Sequence, residues 1–416
     1  MAGSGQRAGH KDARVEPQET RPGWPFVVVL FSLGWTLIYA NRNVFSVVLK
    51  EVSAEWRLSR TELGLLSSAF FLAYTAGQIP AGLLADRFSR RALLLPGFYL
   101  QGISCALSGL APGPGVFLAT RVLGGAGQST YYASQYALAA QFLPRERRAL
   151  GMAAINSGMA GGVVLGLLAG TILVYRMGFG WRVPFLIVGV LSLVLGGVIQ
   201  IAVREPKEQT EHAPNGGTAL RSGGRRTPFQ DRDFWLVWLV GLGTQYSLYL
   251  ILSWLPFYLQ EMRGLGGAAA GTLSSLMPLV AAPSGMLAGY LSDRLGTRRR
   301  IGLYLVPFAT VAVALVGFSA TAAPLYAGLV LYGLTGKLVL DPILVSMVSE
   351  RTAGGSRAGA LGILNFASTV SMVSAPALTG YLADVTGSFR AAFAVAVALG
   401  VIAAAAMFMT KERPVT

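Results

Sequence analysis

The chain has 416 residues, 53% of them hydrophobic and 13% charged, where an ordinary soluble protein has roughly 25% charged residues. Lys and Arg number 34 against 19 Asp and Glu, a net charge of +15, and Cys105 is the single cysteine. These values exclude a disulfide scaffold and a disordered chain, and a soluble protein of this length would need far more charge to cover its surface. The basic excess has two possible meanings: a nucleic-acid surface, or the positive-inside bias of a multi-span membrane protein. Where the charges lie decides between them.

Residues 1–23 are polar and of mixed charge, and read as a disordered cytoplasmic tail rather than a signal peptide. Apolar runs follow, each near the about 20 residues that cross a bilayer. Spans are expected near 24–49, 63–85, 92–110, 116–141, 149–174, 182–203, 234–260, 268–291, 301–321, 324–349, 358–383 and 388–409. The polar stretch 204–233, with Arg204, Glu205, Lys207, Glu208, Glu211 and Asn215-Gly216-Gly217, reads as a flexible cytoplasmic linker. It separates a six-helix bundle at 24–203 from a second at 234–410, and 411–416 form a short cytoplasmic tail. The predicted fold is an all-α membrane protein: twelve transmembrane helices in two pseudo-symmetric six-helix bundles. With the N-terminus inside, most Lys and Arg fall on the cytoplasmic side, so both termini are expected there. Nucleic acid is thereby dropped as a partner, and the lipid bilayer takes its place.

The two halves echo each other. Gly82-Leu-Leu-Ala-Asp86-Arg87-Phe-Ser-Arg90-Arg91 follows span two, and Gly289-Tyr-Leu-Ser-Asp293-Arg294-Leu-Gly-Thr-Arg298 follows span eight. Arg148 and Asn156 are echoed by Arg357 and Asn365, and Trp181-Arg182 with Phe185 by Phe389-Arg390 with Phe393. Repeats of this kind mark transporters. The doubled Gly-x-x-x-Asp-Arg-x-x-x-Arg loop in a twelve-span chain resembles the major facilitator superfamily. The resemblance implies a gating role on the cytoplasmic face for Asp86, Arg87, Asp293 and Arg294.

Four ionisable residues fall within the spans: Arg42, Arg121, Lys337 and Asp341. A charge at the bilayer centre costs roughly 2.5–3.5 kcal/mol on insertion scales, and such residues usually face a cavity. Arg42 has no acid within one helical turn, which points to an anion site, since guanidinium binds carboxylate through paired hydrogen bonds. For Arg121, snorkelling or a structural bond on one side and direct ligand contact on the other stand as equal readings. Lys337 and Asp341 lie four apart on one face of span ten. They either neutralise each other, with Pro342 marking a bend, or Lys337 adds a second cation opposite Arg42 while Asp341 tunes it or carries a proton. Asp384 and Arg390 read as a surface pair.

The segments Tyr39-Ala-Asn41-Arg42 and Arg121-Val-Leu-Gly-Gly-Ala-Gly127-Gln128, with Trp254-Leu-Pro256-x-Tyr258, resemble the anion:cation symporter family of sialin, vesicular glutamate and sugar-acid transporters. That resemblance implies that Arg42 holds a substrate carboxylate and that Arg121 is the span-four arginine. It also implies hydrogen bonding to substrate by Tyr39, Tyr74 and Asn365. Tyr131 and Trp254 join the candidate substrate contacts, and Tyr246 and Tyr249 could line a cavity with Trp254 from span seven, with helix packing as the other reading of such aromatics. The chain departs from the family at Asn41, where an Asp is usual, and at Gln128, where a Glu is usual. Amides cannot exchange a proton in the working pH range, so the usual proton-coupling pair is absent.

The expected function is secondary active or facilitative transport of a small organic anion, a carboxylate, dicarboxylate or sugar acid, by alternating access. Protons or a counter-anion are the candidate coupling partners. Efflux of drug-like or amphipathic compounds is one alternative, and a non-transporting receptor on the same scaffold another. There is no phosphate-binding glycine loop of an ATP-driven pump, and no enzyme, cofactor or metal site is expected. A monomer in a bacterial inner membrane is expected, from short loops without N-x-Ser/Thr on the outward side.

Overall fold

The computed structural model describes residues 23–85, 88–203, 231–295, 298–351 and 357–411, and among them every regular element is a helix. The first half contains α1 (Trp24–Val47), α2 (Leu49–Trp56), α3 (Arg60–Ala85), α4 (Arg90–Gly109), α5 (Pro114–Ser129), α6 (Tyr131–Phe142), α7 (Arg148–Thr171) and α8 (Val183–Ala202). The second contains α9 (Arg232–Glu261), α10 (Gly267–Leu295), α11 (Arg298–Phe318), α12 (Ala322–Thr335), α13 (Lys337–Arg351), α14 (Arg357–Thr386) and α15 (Arg390–Met409). Twelve membrane crossings result. Most of the expected tails and of the 204–233 linker lie outside the described residues; the last linker residues already open α9, where the Asp231 side chain accepts from the Asp233 N–H at 3.0 Å.

Two crossings are broken where continuous helices were expected. The fourth is α5 then α6, interrupted at Thr130, whose hydroxyl bonds back to the Gly127 carbonyl at 3.2 Å. The tenth is α12 then α13. It breaks at Gly336, which is extended at ψ −174, and not at Pro342, which sits inside α13. Freed backbone inside a membrane is tolerated where protein or a cavity surrounds it.

Among the described residues, nine helical segments are long and apolar enough to cross a membrane by composition alone. The crossings that fall short are α3, α5 with α6, and α10. Each packs against other helices along a face rich in Gly, Ser, Thr or Gln, so less of it needs to suit lipid. Lipid-facing positions elsewhere are apolar and exposed, such as Ile79, Ile201 and Phe408.

The packing repeats between halves. In the first, α1 lies on α7, α4 on α8, and α3 on α5; in the second, α9 lies on α14, α11 on α15, and α10 on α12. A Cβ on Gly162 of α7 would sit 2.4 Å from the Thr36 carbonyl oxygen, so that close approach to α1 requires glycine. The halves meet through the matching pairs α3 with α14 and α7 with α10.

Those meetings concentrate at one end, remote from Trp24 and Met409. There Tyr175 of the first half bonds Gln260 of the second at 3.4 Å, and the Ser68 hydroxyl accepts from the Ala377 N–H at 3.1 Å. Asp384 does not pair with Arg390. It caps the start of α3 across the interface, accepting from the Arg60 and Thr61 N–H groups at 3.2 and 2.7 Å and from the Thr61 hydroxyl at 2.6 Å. A carboxylate suits the positive end of a helix, and this cap is available only while the two halves touch. Asp384→Ala is therefore expected to loosen this end. A cysteine placed at Ser253, just inside it, should then react faster with a membrane-impermeant thiol reagent added from that side. Unchanged labelling would contradict the cap's sealing role.

Candidate functional site

Below the sealed end, between the halves, lies a small cavity. Arg42, Tyr39 and Ser46 reach it from α1, Ser67 and Phe71 from α3, Arg121 from α5, and Tyr249 and Ser253 from α9. The Phe71 and Tyr249 rings close one side, edge to face at 5.0 Å across the two halves.

Arg42 is held by an amide and by rings. Its Nε donates to Gln128 Oε1 at 2.9 Å, and its guanidinium lies 4.8 Å from the Tyr39 ring centre and 4.7 Å from that of Tyr74. Arg121 is 3% exposed and stacks over Phe70 at 4.4 Å, with Phe45 at 5.3 Å. Guanidinium over an aromatic face is attractive electrostatically but does not neutralise the charge. Among the described residues neither arginine has a carboxylate within ion-pair distance. Arg42 Nη2, Arg121 Nε and Gln128 Nε2 are buried without a hydrogen-bond partner. Unused buried donors are costly, and here two of the three belong to arginines that line one cavity and the third to the amide bonded to Arg42.

The position of Arg121 depends on Gly125, one turn further along α5. A Cβ there would sit 2.2 Å from the Phe70 carbonyl oxygen. Gly125→Val should push α5 off α3, lower stability by about 1–3 kcal/mol and show as a drop in Tm in detergent. An unaltered Tm would mean that the contact is not tight.

The second expected cation is elsewhere. Lys337 opens α13 just after the break, is 1% exposed, and bonds Asp341 one turn on. It does not line the cavity. Asp341 has a half-exposed side chain, within electrostatic reach of Tyr249 in its own half and of Tyr39 and Tyr132 in the other. Breaking such a pair leaves a buried charge alone at a cost of about 3–5 kcal/mol, whereas removing both charges is often neutral. Asp341→Asn should therefore lower the Tm, and adding Lys337→Met should restore most of it. Equal destabilisation by the single and double changes would contradict mutual neutralisation.

The other anticipated residues scatter. Asn41 is buried beside Arg42, its Oδ1 without a partner, and is not on the cavity wall. Tyr131 is buried within the first half, edge-on to Trp35 at 5.1 Å. Trp254 is buried toward the sealed end, where its Nε1 donates to the Pro376 carbonyl at 3.0 Å. Asn365 is exposed on α14 and does not line the cavity. Asp86 and Arg87 lie outside the described residues, as does the Asp293 side chain; exposed Arg294 bonds the Tyr290 hydroxyl at 3.3 Å. Ser46, Ser67 and Ser253 were not anticipated. Each shares a face with a residue that was, Ser46 one turn past Arg42, Ser67 two turns before Tyr74, and Ser253 one turn past Tyr249.

The sequence pattern of the Major Facilitator Superfamily matches residues 31–352 and again 267–416. The chain belongs to the Major Facilitator Superfamily. Its doubled packing and its cavity between two six-helix halves are thus those of a transporter family. Among Major Facilitator relatives, it is 29% identical to the "Probable L-galactonate transporter" of Escherichia coli, over 91% of this chain and 87% of that one. It is 27% identical to the "Hexuronate transporter" of Bacillus subtilis, over 92% and 93%. A solved bacterial homologue of the human lysosomal transporter Spinster, inward-facing and occupied, superposes with a TM-score of 0.79 at 18% identity, covering 94% of this chain and 97% of that one, and shares the fold.

Proposed function

We propose that this Major Facilitator member carries a small organic anion by alternating access, its acidic groups held between Arg42 and Arg121. The observation that carries this is the pair of arginines on one cavity, without carboxylate partners and each with a buried, unused donor. A carboxylate can take two parallel N–H bonds from a guanidinium. Ser46, Ser67, Ser253 and Tyr39 supply hydroxyls for the rest of a polyhydroxylated or carboxylated solute. Relatives support the class: they are named for L-galactonate, hexuronate, galactarate and D-glucarate, sulfoacetate and gentisate.

The charge bias of the loops supports a cytoplasmic location for the end bearing Trp24 and Met409; on that reading the sealed end is the outer one and this conformation is inward-facing. Tyr132 of the first half and Asp341 of the second are both half-exposed and within electrostatic reach of each other, consistent with access from that side. A bacterial inner membrane fits the named bacterial relatives. Asp86, Arg87, Asp293 and Arg294 are assigned to the latch that would hold the opposite state.

The test is uptake into proteoliposomes over a panel of sugar acids, dicarboxylates, neutral sugars and organic cations. Saturable uptake confined to the anions is expected. Uptake of cations or neutral amphipaths with the acids excluded would sink the proposal in favour of efflux of drug-like compounds.

A further inference from the structure

We infer that the two halves re-orient only with an anion between Arg42 and Arg121, which makes the chain an obligate exchanger of dianions. This rests on the cavity being the anion site. The two guanidinium groups line one cavity and lie within electrostatic reach of each other. Their polar and titratable neighbours among the described residues include no carboxylate: Gln128 takes Arg42 Nε at 2.9 Å, the phenols Tyr39, Tyr74 and Tyr249 surround Arg42, and the thiol of Cys105 lies within electrostatic reach of Arg121. Among the described residues no carboxylate pairs with either arginine, and the acid facing the gap, Asp341, is already bonded to Lys337. Two positive charges therefore stand at the cavity with no ion-pair partner among the described residues.

Two acidic groups on one solute balance that arrangement. Each guanidinium then receives its own carboxylate or sulfonate, and the site becomes neutral. A monoanion leaves one cation in excess. The same balance governs the return step. To change sides, the halves must close around the site and exclude water. With a dianion bound, a neutral assembly is enclosed. With the cavity empty, two cations lose water and gain nothing, and such desolvation is strongly opposed. A protonatable carboxylate beside an arginine can supply the missing charge during an empty return, but here the group on Arg42 Nε is an amide, and the titratable neighbours of the two arginines are phenols and a thiol rather than carboxylic acids. The return must then carry another dianion. Exchange of one dianion for another moves neither net charge nor a proton.

The experiment uses the full chain in proteoliposomes filled with either unlabelled D-glucarate or buffer alone. Labelled D-glucarate, sulfoacetate or succinate is added outside. Initial uptake is expected to be at least about tenfold faster into loaded vesicles. It should be indifferent to a pH gradient or an imposed potential, and a D-gluconate filling should support less of it. Gln128→Glu places a carboxylate beside Arg42 Nε and is expected to raise uptake into buffer-filled vesicles several-fold. Equal rates into loaded and buffer-filled vesicles, or uptake into buffer-filled vesicles driven by a pH gradient, would overturn exchange while leaving the anion site standing. No uptake of any of these dianions into either kind of vesicle would overturn both.

Discussion

Arg42→Ala is expected to abolish saturable anion uptake, with kcat/KM falling on the order of 10²-fold or more, the usual scale for losing one partner of a buried charge-assisted contact. The residue is fixed on two sides. Gln128 takes its Nε at 2.9 Å, and the Tyr39 and Tyr74 rings hold the guanidinium plane, which leaves Nη2 free. Arg42→Lys should recover only a minor part of the loss, because an ammonium offers neither the planar fork nor the same stacking. Stability should move the other way. Arg42 has no ion pair among the described residues, so its removal relieves a buried cation, and the Tm in detergent should stay level or rise. Full activity in Arg42→Ala, or a large fall in its Tm, would contradict this.

Arg121→Ala is expected to have a comparable effect with a different signature. The side chain is 3% exposed, lies over the Phe70 ring at 4.4 Å and reaches the same cavity as Arg42. If each arginine takes one acidic group, losing Arg121 should weaken dianion uptake by at least about tenfold while sparing monoanions. The ratio of kcat/KM for D-glucarate over D-gluconate is the quantity to follow. A ratio unchanged from the parent protein would show that Arg121 does not read the second charge.

The doubled Asp-Arg loop and the spacing of the apolar runs were enough to anticipate the twelve-crossing fold, because lipid imposes segment length and continuous apolarity. Arg42 was also legible: a lone arginine deep in a span, with no acid a turn away, has few places to go. Arg121 looked ambiguous because sequence does not say whether a buried arginine meets a carboxylate or only rings. Lys337 was placed opposite Arg42 as one of two readings, but spacing fixes only its neighbour on the same helix, Asp341, and not the direction in which the break at Gly336 turns them. The serines carried no distinctive signal, since a serine in a membrane helix satisfies itself: Ser67 bonds the Leu63 carbonyl and Ser46 that of Asn43. Asp384 was paired with nearby Arg390 by the same local logic. Its true partners, Arg60 and Thr61, lie more than 300 residues away and meet it only because the halves close there.

The most direct measurement is equilibrium binding of labelled D-glucarate to the purified full chain, alongside Arg42→Ala and Arg121→Ala. Binding isolates the site from re-orientation and from coupling. The expected result is saturable binding by the parent, loss of it in Arg42→Ala and marked weakening in Arg121→Ala, with all three proteins folded by their melting curves. Parent-like affinity in Arg42→Ala would contradict an anion held between these two arginines.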